Sequence, residues 1–310
     1  MNHLERALDG QNQIWKYFIL FLIAFAGANT IGSLPLLGVV MYKVMKSDGA
    51  IQINPDNLMD LSVYGIDSNT GLILMILPFI AGLFTVILLL KPFHKRNYKE
   101  VINGTLSIRW GRFFTGALVW GVLMGGYLLI DYWMNPDNFV VHFEPATLIP
   151  LVVIALLLIP FQTTFEEVMF RGYLAQGIGA ATRSRWFVVL IPGVLFGLMH
   201  FANPEVVEFG FWMVMPQYIF FGLTFGLISV LDDGIESAMG VHAANNIFAA
   251  VFITHKSSAL QTAAIFEQQT INPGKETIAL VVASVLLVTV LGAIYKWKPS
   301  IINRRIEQTA

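Results

Sequence analysis

The sequence predicts an all-α, polytopic membrane bundle of about eight transmembrane helices, on three observations. Hydrophobic residues make up 56% of the 310 residues and charged residues 13%, where an ordinary soluble domain carries about 25% charged residues. Mean hydropathy is +0.66. Apolar runs long enough to cross a hydrocarbon core of about 30 Å, at about 1.5 Å per helical residue, recur along the whole chain.

The expected spans fall at 15–41, 71–90, 113–133, 147–180, 186–201, 209–231, 234–253 and 277–296. The first contains "GANTIGSLP", whose Gly and Pro predict a kink with backbone groups that neighbouring helices must satisfy. The fourth is too long for one simple crossing. No internal repeat, low-complexity tract or composition break separates a second domain, so residues 1–310 read as a single membrane domain. The N-terminal "MNHLERALDGQNQ" is polar and carries acids, unlike a cleaved signal peptide, so the first apolar run is expected to stay as a helix.

Lys and Arg orient the bundle. With the N-terminus in the cytoplasm, fourteen of the nineteen fall on inside segments, including Arg6, Arg96, Arg109, Arg112, Arg185 and Arg305. The outside segments hold Lys43, Lys46, Lys256 and Lys275. Both termini are expected to be cytoplasmic. The net charge of −1 gives no sign of a nucleic-acid partner. With no cysteine in the chain, disulfides, thiolate zinc sites and a cysteine nucleophile are excluded.

The informative residues are the ionisable ones inside apolar runs, where each costs about 2.5 kcal/mol or more and so faces the protein interior. "FEEVMFRG" puts Glu166, Glu167 and Arg171 in the fourth span. Glu167 and Arg171 are spaced i, i+4 with the acid first, the favourable order for an ion pair. Glu166 points about 100° away from Glu167, so Arg171 cannot serve both equally. In "LFGLMHFANP", Phe196 and His200 are i, i+4; in "GVHAANNIF", His242 and Asn246 are i, i+4. If the fourth and fifth spans form a hairpin about the basic turn "TRSR", Glu166 and His200 lie at nearly equal depth. His242 starts only a few residues into its span, and the hairpin does not settle its depth.

Each feature also has a plain structural reading: a buried ion pair, a hydrogen-bonded interior His, an Asn that joins helices, as Asn245 would. Together, however, Glu-Glu-x-x-x-Arg, Phe-x-x-x-His and His-x-x-x-Asn occur in that order in a chain with eight apparent spans. In this the chain resembles the CPBP family of intramembrane proteases, which includes the CAAX prenyl protease type 2 and the bacteriocin-processing or Abi proteins. The family core would cover about residues 110–255. The resemblance implies peptide hydrolysis with Glu166 as the base that takes a proton from water and His200 orienting that water. His242 and Asn246 would donate to the oxyanion, Arg171 would anchor Glu167, and Phe196 would shape the pocket.

Glu166, His200 and His242 also number the three protein ligands of a catalytic zinc. No His-Glu-x-x-His helix is present, and a glutamate-activated water without a metal is the favoured expectation, with zinc as the alternative. The expected partners are the lipid bilayer and a membrane-delivered peptide or protein substrate, with a bacterial cell (inner) membrane as the location. A proton-coupled transporter or a catalytically idle immunity or scaffold protein is the competing function, although the inverted repeats common in transporters are not apparent. The aromatic stretch "GFWMVMPQYIFFG" reads as lipid-facing or packing surface. "NGT" at Asn103 matches a glycosylation acceptor but falls on the expected cytoplasmic side.

Overall fold

The structure, a computed structural model, describes residues 3–51 and 60–308. Residues 52–59 of the expected outside loop at 43–70 lie outside the described residues. The architecture is a polytopic helical bundle. Helix α1 (Ile14–Gly27) and α2 (Leu34–Lys46) form one apolar run broken by a π-helical turn at Ala28–Gly32, where the kink was expected. The Asp67 side chain accepts from the Thr70 amide and starts α3 (Ser68–His94). A capping box between Asn97 and Glu100 starts the short α4 (Tyr98–Asn103).

Helix α5 (Trp110–Met134) leads to strand β1 (Phe139–Val141). The long fourth span has three parts: α6 (Pro145–Glu167), a π-helical stretch (Val168–Leu174) and α7 (Ala175–Thr182). Next come α8 (Arg185–Leu198), α9 (Pro204–Phe209), α10 (Phe211–Asp232) and α11 (Glu236–Val251). Strands β2 (Ile253–Thr254) and β3 (Phe266–Gln268) precede α12 (Pro273–Tyr295). The strands form a small sheet in the order β1-β3-β2, with β1 antiparallel and β2 parallel to β3.

Among the described residues, six helical runs are long and apolar enough to cross a membrane: Ile14–Lys46, Ser68–His94, Trp110–Met134, Pro145–Thr182, Phe211–Asp232 and Pro273–Tyr295. The expected fifth and seventh spans are present as shorter helices. At 14 residues α8 is about 21 Å long, and at 16 residues α11 is about 24 Å, both short of a bilayer core. Helix α11 needs no full lipid-crossing length because it packs between α5 and α6, with Glu236 to Ala243 all buried.

Two close helix crossings set the bundle. Helix α8 meets α10 where a Cβ on Gly222 would lie 2.2 Å from the Gly193 carbonyl oxygen. Helix α11 meets α5 where a Cβ on Gly240 would lie 1.9 Å from the Phe113 carbonyl oxygen. Without a hydrophobic force between helices in lipid, such backbone-to-backbone contact is a main source of association. Outward positions such as Leu88, Leu118, Val122 and Ile278 are exposed and apolar, as a lipid-facing surface requires.

Both ends of the described chain lie at one end of the bundle. Glu5 pairs with Arg185, the Ile306 amide donates to the Arg183 carbonyl at 3.0 Å, and the His3 amide donates to Asp233 at 3.1 Å. Arg6, Arg96, Arg109, Arg112 and Arg185 are all engaged at this end. The sheet, α9 and Lys275, paired with Asp131, occupy the other.

Candidate active site

The junction of α6 with its π-helical stretch builds the centre of the site. Glu166 and Glu167 end the α-helical part and Arg171 lies in the wider π turn, all three buried. Such π segments recur at functional sites because they redirect side chains without breaking the helix. Arg171 Nη1 donates to Glu167 Oε1 at 2.8 Å, and Nη2 donates to the Gly222 carbonyl at 3.1 Å. The guanidinium also stands 4.1 Å from the centre of the Phe196 ring and 5.0 Å from that of Phe225, in cation–π range.

His242 joins the cluster from α11. Its Nδ1 donates to Glu167 Oε1 at 2.8 Å, and its Nε2 faces Glu166 Oε2 at 3.5 Å, within ion-pair reach but beyond an ordinary hydrogen bond. One carboxylate oxygen of Glu167 thus serves both Arg171 and His242, while Glu167 Oε2 is buried without a hydrogen-bond partner. For Nε2 to donate, His242 must carry a proton on each nitrogen. Glu167 is the counter-charge at Nδ1.

The depth of His242 has a physical cause that the helix boundaries alone did not reveal. The turn between α10 and α11 is drawn into the bundle, with Asp232, Glu236 and Ser237 buried. Arg109 holds Glu236 with Nη2 to Oε2 at 2.5 Å, Arg112 pairs with Asp232, and Trp297 Nε1 donates to Asp232 at 2.9 Å. Helix α11 therefore begins below the surface, and a residue near its start reaches the level of Glu166. Asn103, the residue of the glycosylation pattern, is buried in this same network against Glu236.

His200 follows the end of α8 and is partly buried. Its Nδ1 donates to the Phe196 carbonyl at 2.8 Å, and Phe196 in turn lies edge-on to His242 with ring centroids 5.7 Å apart. Among the described residues no hydrogen bond joins His200 to Glu166. Asn246 is partly buried one turn after His242, and its side-chain oxygen accepts from Asn245 at 3.1 Å. Asn245 also accepts from Trp120 Nε1 at 3.1 Å and ties α11 to α5.

Tyr218, which the sequence does not single out, lies in the aromatic stretch that reads as lipid-facing or packing surface. Its ring stacks on His200, centroids 4.5 Å apart and planes 17° from parallel. Asn203 Nδ2 donates to its hydroxyl at 3.0 Å. Nearby, the Glu205 carboxyl accepts from the Ala259 amide at 2.7 Å, and burial pushes this carboxyl above its ordinary range. The spacings Gly193-x-x-x-Gly197 and Gly222-x-x-x-Gly226 were the available signal for the α8–α10 crossing, and hence for Tyr218 and His200 sharing a face of it.

As for a metal, among the described residues no group of three or more His, Asp and Glu is arranged to hold one. The Nδ1 atoms of His200 and His242 are held by the Phe196 carbonyl and by Glu167, the outer partners that a metal-bound histidine also has, so Nε2 of each ring and the Glu166 carboxylate would be the donors to a zinc ion.

These features define a polytopic membrane protein with an acid–imidazole–arginine centre buried between helices. Residues 145–248 match the family described as Rce1-like, the type II CAAX prenyl endopeptidases. A protein of Bacillus subtilis (strain 168), "Uncharacterized protein YyaK", is 33% identical over 260 residues, which cover 83% of this chain and 84% of that protein. No solved structure matches the chain. The chain belongs to the Rce1-like family, and membership places it among membrane peptidases of the CAAX-protease type.

Proposed function

We propose that this protein is an intramembrane endopeptidase that hydrolyses a peptide bond of a membrane-associated protein or peptide with a water activated by Glu166. The observation that carries the reading is the buried cluster in which Glu166 faces His242 while Glu167, Arg171 and His242 satisfy one another. Of the two adjacent carboxylates, only Glu166 is left without a hydrogen bond to a protein donor among the described residues, and so has room to take a proton.

In the proposed reaction Glu166 removes a proton from water as its oxygen attacks the peptide carbonyl carbon. His200 Nε2, unprotonated because Nδ1 holds the proton shared with Phe196, accepts the second hydrogen of that water and orients it. His242 Nε2, with the Asn246 amide, donates to the oxyanion that forms; the low dielectric of the bundle strengthens these bonds. Collapse of the tetrahedral intermediate breaks the C–N bond, and the Glu166 carboxyl returns its proton to the leaving amine. Arg171 holds Glu167, and Glu167 holds the His242 ring through Nδ1.

The reading places the protein in a bacterial cell membrane as one membrane unit over 1–310, with its catalytic core within 110–255 and both termini cytoplasmic. The matched range, the Bacillus relative and the grouping of arginines at the terminal end of the bundle support this.

The test is cleavage of a quenched fluorescent peptide library by the purified protein in detergent. Glu166→Ala is expected to lower kcat/KM by about 10²- to 10⁴-fold, the usual worth of a general base, with unchanged thermal unfolding. Activity is expected to survive a zinc chelator. Wild-type activity in Glu166→Ala would end the assignment, and loss with chelator restored by zinc would move the reaction to a metal.

A further inference from the structure

Among the described residues, His200 is anchored through one ring hydrogen bond, from Nδ1 to the carbonyl of Phe196 one turn earlier. That bond selects the tautomer, but as one hinge-like restraint it leaves the ring a rocking freedom that sweeps Nε2 through an arc. A flat, parallel ring over the imidazole face removes this freedom, and Tyr218 supplies one at 4.5 Å. His200 also meets Phe196, centroids 4.8 Å apart but with the planes tilted by 55°, so the parallel face comes from Tyr218.

Tyr218 is itself held at its far end. Its hydroxyl accepts from Asn203 and neighbours the Glu205 carboxyl, whose Oε2 is buried without a hydrogen-bond partner. Asn203 and Glu205 flank Pro204 at the start of α9, so the segment that leaves His200 turns back to hold the ring covering it. Glu205 Oε1 extends the hold to the Ala259 amide beyond β2.

We propose that Tyr218 is a positioning residue that fixes the plane of the His200 ring, with Asn203 and Glu205 fixing Tyr218 in turn. This rests on the reading that His200 orients the attacking water. A side chain needed only to fill space at this position would be replaced without loss by an aliphatic one of similar size; one needed for its flat face would not.

The experiment uses the full-length protein and compares Tyr218→Phe, which keeps the face, with Tyr218→Leu and Tyr218→Met, which do not. Two readouts are taken: kcat and KM on the peptide selected in the cleavage test, and ring motion of His200 by solid-state NMR of 15N-histidine-labelled protein in lipid bilayers, assigned with His200→Gln. The aliphatic variants are expected to lose about 10- to 100-fold in kcat with KM within about threefold, and to let the His200 ring reorient, as expected for a misplaced catalytic group. Tyr218→Phe, which keeps the face but loses the hydroxyl hold, is expected to fall between wild type and the aliphatic variants in both ring rigidity and kcat. A rigid His200 ring in the aliphatic variants, or a kcat equal to wild type, overturns the proposal. If one aliphatic variant fails to fold, the other decides, and the NMR readout decides whether or not a peptide is cleaved. Full activity in His200→Gln would instead overturn the role of His200, a result separable from a failure at Tyr218.

Discussion

Arg171 is fully enclosed, yet its guanidinium has three kinds of partner: the Glu167 carboxylate, the Gly222 carbonyl and the faces of Phe196 and Phe225. Removing one member of a buried pair leaves an uncompensated charge and costs about 3–5 kcal/mol, whereas removing both is often tolerated. Arg171→Ala should therefore sharply reduce the yield of folded protein on size-exclusion chromatography. The double variant Glu167→Gln/Arg171→Met should recover that yield. Its peptidase activity should stay low, because the glutamine cannot supply the negative charge at His242 Nδ1; recovered activity would show that Glu167 serves only the fold.

At this scale the sequence announces the ionisable residues and hides the aromatic ones. Glu166, Glu167, Arg171 and His242 stand out because charge in an apolar run needs an explanation, and the structure gathers these four. Tyr218 does not stand out, since an aromatic in an apolar helix packs against protein or lipid equally well. For His200 the hairpin argument gives only a depth, because equal depth on neighbouring helices does not fix rotation about their axes; its ring lies against Phe196 and Tyr218.

Among the elements, the α8–α10 pair is sensitive to one added methyl group. Gly222 sits against the Gly193 carbonyl, and backbone cannot move aside as a flexible side chain can. Gly222→Ala should cost about 1–3 kcal/mol and lower the thermal midpoint in detergent, the usual penalty for overpacking. It should also weaken activity, since the Gly222 carbonyl is one of the groups that hold Arg171. An unchanged midpoint would mean that the helices separate freely. The positions of the long helices were legible from hydropathy to within several residues. The π-helical stretch at Val168–Leu174 and the short α9 were not, because an extra residue per turn leaves no mark in apolar composition and a six-residue helix is too brief to show a period.

For the whole molecule, the arginines gather at the end of the bundle that holds both ends of the described chain, the end proposed to be cytoplasmic. The absence of cysteine makes the orientation directly measurable in intact cells with a membrane-impermeant maleimide. Single replacements Lys99→Cys and Lys256→Cys lie at opposite ends of the bundle. Lys256→Cys should label in intact cells and Lys99→Cys only after the membrane is opened; the reverse pattern would invert the topology. The buried start of α11 bears on how such a protein is made. A 16-residue helix carrying Glu236, His242, Asn245 and Asn246 is a poor candidate to leave the insertion machinery for lipid by itself. Its acid is neutralised by Arg109, its Asn245 by Trp120, and its histidine by Glu167, all of which are synthesised earlier. These contacts favour an order of assembly in which α5 and α6 stand in the membrane as a polar-lined berth before α11 enters, so the proposed centre is incomplete until α11 has been made.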